Sequence, residues 1–170
     1  MEQRIPFPVS VQLWDELPER DRVFFCFADD YLPLHPNHAA QIALLARADA
    51  DRLTEWAFSA LPAGFPDHPG QRFEREEVLS VHGCWDDGGR RDEVRRWLFD
   101  RGIPFSRIVY LMYERGQVVQ TTWHLVIRYW DAFAWSVGYA MLVVDHTLDW
   151  ACCFHHEEVI VFGTHRPANK

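Results

Sequence analysis

The last third of the chain constrains its fold most, because Tyr139 to Asp145, Asp149 to His155 and Glu158 to Gly163 are three short apolar runs separated by polar turns. Short runs rich in β-branched and aromatic residues and bounded by turn residues fit strands, and consecutive strands joined by tight turns pair antiparallel. A three-strand meander is therefore predicted. In its middle run Trp150, Cys152 and Phe154 alternate with Ala151, Cys153 and His155. Successive strand residues point to opposite faces, so the first trio should pack on the core while the other face is left partly solvated.

Upstream, Arg22 to Ala28 is a continuous β-prone run ending at Asp29-Asp30, as a buried strand would. Ile42, Leu45, Ala46, Ala50, Leu53, Ala57 and Leu61 recur at three or four residues. That spacing predicts a helix that opens near Pro36-Asn37, stops at Leu61-Pro62 and breaks near Asp49 to Asp51. Asp92 to Arg101 predicts a second helix with Val94, Trp97 and Leu98 inward and Gly102 at its cap, and Arg107 to Tyr113 predicts a strand. Thr122 is placed to cap a third helix carrying Trp123, Val126, Ile127, Trp130 and Phe133 on one side, although Thr121 to Trp130 also suits a strand.

The Pro- and Gly-rich stretch of about 61–75 reads as a long surface loop, because the residues before it are too few for a comfortable core of their own. The expected fold is a single α+β domain over residues 1–170, mainly an antiparallel sheet with the C-terminal meander, packed by about three helices. Apolar residues make up 48% of the chain, enough for a dense core that folds without a cofactor.

Several classes of function are disfavoured. Met1 to Pro8 has no basic region leading into an apolar one, so no secretory signal is expected and the cytoplasm is the expected compartment. The uncharged stretch from Ala132 to Val144 is too short to span a bilayer. A net charge of −8 opposes contact with nucleic-acid phosphates and suits a basic protein partner. Cys26, Cys84, Cys152 and Cys153 lack the spacing of a zinc ribbon or a redox pair, and buried reduced thiols are expected.

Cys152-Cys153-Phe154-His155-His156-Glu157-Glu158 concentrates metal-ligating side chains. On a strand only Cys153 and His155 share a side, and a tetrahedral site would need more ligands, for which His35, His38, His82 and Cys84 are candidates. No mechanism-bearing spacing joins them, so no metal, cofactor or catalytic residue is assigned; a metal-dependent or cysteine-dependent enzyme built on these strands is the alternative reading. Arg90, Arg91, Arg95, Arg96 and Arg101 read as a solvated face balanced by Asp86, Asp87, Asp92 and Glu93. Most of the aromatic residues from Trp123 to Tyr139 should be core, and any left exposed would serve as protein anchors.

Tyr129-Trp130-Asp131-Ala132-Phe133, followed by Trp150, His155-His156-Glu157 and Val161-Phe162-Gly163, resembles the closing helix and strands of small bacterial immunity proteins of polymorphic or contact-dependent toxin systems. The resemblance implies a non-enzymatic domain that binds and neutralises a toxin, with no transferable site residues. Acidic turn residues are then the candidates for the partner surface: Asp29, Asp30, Asp86, Asp87, Asp145, Asp149, Glu157 and Glu158, together with His155 and His156.

Overall fold

A computed structural model of the chain describes residues 5, 7–18, 31–62, 73–84, 88–113, 116–135 and 140–165. Its strands are β1 (Val11–Leu13), β2 (Ala43–Leu45), β3 (Arg75–Ser80), β4 (Ile108–Tyr113), β5 (Gln117–Thr122), β6 (Ala140–Val144), β7 (Trp150–His155) and β8 (Val159–Thr164). They form one sheet in the order β1-β2-β5-β4-β6-β7-β8-β3, antiparallel at every pairing. The α-helices among the described residues are α1 (Pro36–Ala39), α2 (Arg47–Ala60), α3 (Gly88–Phe99) and α4 (Trp123–Trp135), and a 3-10 turn covers Trp14–Glu16. The architecture is α+β, with the predicted meander at β6-β7-β8.

The middle strands are buried on both faces. Val109, Leu111, Met141, Val143, Trp150, Cys152 and Phe154 pack with Val94 and Leu98 of α3 and with Trp123, Val126 and Trp130 of α4. The alternate residues Tyr110, Met112, Leu142, Val144, Ala151 and Cys153 pack with Ala50, Leu53 and Ala57 of α2 on the other side. The sheet is thus the middle of three layers. Trp150, Cys152 and Phe154 do share a core face, but the face expected to be partly solvated is covered as well, because α2 lies over Ala151 and Cys153.

Other boundaries shift for physical reasons. The helix expected from Pro36 to Leu61 divides earlier than its aspartates suggested. Pro36 does open a helix, but one of a single turn; Ala43–Leu45 then pairs with both β1 and β5, and α2 runs unbroken through Asp49 to Asp51. Ladder hydrogen bonds on both sides outweigh the helical spacing of Ile42 and Leu45. The stretch from Thr121 to Trp130 is divided between strand and helix at Thr122. Thr122 Oγ1 donates to Gln41 Oε1 (3.1 Å), and the first N–H groups of α4 go to carbonyls instead: Trp123 N to Arg107 O and His124 N to Phe105 O. Gly102 takes φ +69° just past α3, the left-handed turn that glycine adopts without penalty. The expected strand at Arg22 to Ala28 and the interior of the predicted loop, 63–72, lie outside the described residues.

No described helix is long and apolar enough to cross a membrane.

Candidate functional site

Antiparallel pairing sorts the connections to two ends of the sheet. One end holds the 104–107 segment, the junction of β5 with α4 and the turn from Asp145 to Asp149. The other holds the β7–β8 turn and His82, since His155 and Ser80 both pair with Val159.

The candidate acidic residues are therefore separated. Asp145, at the first end, is 0% exposed. Its Oδ1 accepts from Thr147 N (2.8 Å) and Thr147 Oγ1 (2.6 Å), and Arg107 Nε lies 3.5 Å from Oδ2. Such a carboxylate shapes its turn rather than meeting a partner. Asp149 is exposed beside it. At the far end His156 and Glu157 are exposed, the His155 and His156 rings lie 4.2 Å apart, and His155 Nδ1 accepts from Glu157 N. Glu158 pairs with His82. The length of β7 puts roughly 20 Å between the two groups, so they do not make one patch. Asp29, Asp30, Asp86 and Asp87 lie outside the described residues.

The thiol-rich strand is closed to chemistry at Cys152. Cys84, Cys152 and Cys153 are reduced and buried, and Cys152 and Cys153 point to opposite faces of the sheet. Burial, with Cys153 next to it, pushes the Cys152 thiol well above its ordinary range, where it is protonated and a poor nucleophile. Among the described residues no three His, Cys, Asp or Glu side chains converge as metal ligands.

A different polar constellation lies between α1, α3 and α4. Tyr31 donates from its hydroxyl to both oxygens of the buried Asp131 (3.0 and 2.8 Å) and accepts from Arg95 Nη2 (2.9 Å). Arg91 Nη1 is 3.6 Å from Asp131 Oδ2. Burial raises the pKa of the Tyr31 hydroxyl, and the Asp131 carboxylate beside it adds to the effect, so Tyr31 is a donor at neutral pH. The arginine run is thus not a plain solvated face: Arg91 and Arg95 are committed to this network, while Arg101 is buried against Glu77 with its guanidinium 4.2 Å from the Trp97 ring.

The network continues outward through Tyr129, whose ring meets Tyr31 edge-on at 5.0 Å and whose hydroxyl is 2.7 Å from His38 Nδ1. His38 lies beside His35 and His124 (ring centroids 5.4 and 5.9 Å), His124 beside Phe105 (5.3 Å), and Phe105 beside Phe99 (5.7 Å). Phe99 and Phe105 are 55% and 50% exposed. Of the aromatic run from Trp123 to Tyr139, expected to be mostly core, Trp123, Tyr129, Trp130 and Phe133 are buried and offer no anchor, and Tyr139 lies outside the described residues. Phe99 was findable, because it falls off the Val94–Leu98 face of α3. The meeting of His38 with His124 was not, being made by residues far apart in the chain.

No protein-family model, curated protein or solved structure matches the chain.

Proposed function

We propose that the chain is a protein-binding domain of the immunity type, which holds a toxin domain and neutralises it. One observation carries the reading: Phe99 and Phe105, each about half exposed, touch one another on a molecule whose middle strands are already covered on both faces. A paired, half-exposed aromatic surface is the kind of anchor that dominates protein interfaces, since it buries a large area at small entropic cost. The net charge of −8 would speed encounter with a basic partner, and exposed Glu157 at the far end of the sheet would act on association rate rather than on hold.

The test is neutralisation in cells. Reading frames adjoining the gene are expressed singly in a sensitive host, with and without this chain. A neighbour that arrests growth alone and is tolerated with the chain supports the proposal, and loss of protection in Phe99→Ala/Phe105→Ala, with the variant still folded, places the anchor. Absence of protection against every neighbour overturns it.

A further inference from the structure

Between Trp123 and Ala134, every residue of α4 is buried except His124 and Arg128. These two stand one turn apart on the same side of the helix, so between Trp123 and Ala134 the part of α4 that meets solvent is basic. The surface next to it carries His38 and His35 from α1 and the loop before it. Arg128 sits over the ring of Tyr129 (5.5 Å), the residue whose hydroxyl holds His38. His35 Nδ1 accepts from Asn37 N, so the neutral ring carries its proton on Nε2, available outward.

Three imidazoles and a guanidinium are therefore gathered at one place on a strongly acidic protein. The groups facing His38 are His35 from its own segment and His124, Arg128 and Tyr129 from α4. Asp131, the carboxylate beyond Tyr129, is engaged by Tyr31 and Arg91. The first N–H groups of α4 are taken by the Arg107 and Phe105 carbonyls, so the positive character rests on side chains. His38 shows the consequence: burial holds its pKa below the ordinary histidine value, and Arg128, His124 and His35 all push it the same way. Protonation there is resisted until an anion arrives to share the charge.

We propose that His35, His38, His124 and Arg128 form a binding site for an oxyanion, a carboxylate or a phosphate group, whose occupancy is coupled to histidine protonation and rises as pH falls. Neighbouring rings are close enough for one oxyanion to accept from two of them, and Phe105 forms an apolar wall beside His124. This site would hold its ligand whether or not the chain neutralises a toxin.

The test uses the full chain, with sulfate standing for a phosphate group and acetate for a carboxylate, both fully ionised across the range used. Histidine Cε1–H resonances are followed by NMR at matched ionic strength, at about pH 6 and about pH 8. His156, at the other end of the sheet, is the internal reference. Saturable shifts of His38 and His124 at the lower pH are expected, weakened about tenfold or more at the higher pH, as loss of one bound proton implies. They should be absent in His124→Gln/Arg128→Gln, whose surface positions leave the fold intact. Saturation by sulfate alone assigns a phosphate-type ligand, and saturation by acetate alone assigns a carboxylate. Absence of saturation with both anions overturns the site, as do equal shifts at His156 or in the double variant.

Discussion

Trp150 of β7 meets Trp123 of α4 edge-on, with ring centroids 5.3 Å apart, and its other neighbour Phe162 stacks at 5.8 Å. The contact joins the meander to the helix layer at the centre of the larger core. Trp150 is 1% exposed, so Trp150→Ala leaves a large cavity that the surrounding rings cannot fill. A loss of about 3–5 kcal/mol in chemical denaturation is expected, enough to unfold a marginal domain. An unchanged denaturation midpoint would refute the packing described.

Phe73 and Gly163 make the complementary case on the other face. Gly163, paired with Ala151 and Glu76, has no side chain, and the Phe73 ring occupies the space where one would stand: a Cβ would lie 2.1 Å from Phe73 Cδ2. Gly163→Ala should therefore cost about 1–3 kcal/mol by forcing the ring aside. In Phe73→Leu the same change should cost much less, and a double-mutant cycle in which the two changes simply add would show that they are not coupled.

Acid should weaken the fold partly through Glu77. Burial opposes its ionisation, but Arg101 and then Arg75 outweigh that, holding its carboxyl below the usual carboxylate range. A group with a folded pKa below its unfolded value contributes stability above the unfolded value, near about 4.3, and loses it as pH falls through the folded value. Melting temperatures recorded from neutral to acid pH should fall less steeply below about pH 4.5 in Glu77→Gln than in the parent. Parallel curves would mean that Glu77 has no such role.

Glu158 adopts φ +57° at the last position of the three-residue β7–β8 turn, a left-handed place usually given to glycine. Its exposed pairing with His82 offers little in return. Glu158→Gly should stabilise the chain by about 0.5–1 kcal/mol. If neutralisation of a toxin uses this turn, the same variant should protect cells less well despite its higher melting temperature; a destabilised variant would contradict the strain argument.

Much of the framework was legible in the chain itself. The meander, a helix over Asp92 to Arg101 that in fact opens four residues earlier at Gly88, the strand ending at Tyr113 and the alternation of Trp150, Cys152 and Phe154 follow from local periodicity and turn residues, which act over a few positions. What Ala43–Leu45 would do depended on β1 and β5 arriving on either side of it, and whether Ala151 and Cys153 were solvated depended on where α2 packed. The acidic turn residues were visible as charges, but only the antiparallel order put Asp145 and Glu158 at opposite ends and turned Asp145 inward. The histidine cluster and the Phe99–Phe105 pair are likewise products of packing: between Trp123 and Ala134, α4 buries every residue but His124 and Arg128, and these come out beside His38. Local preferences select elements, whereas their placement is decided by how their apolar faces can be covered together.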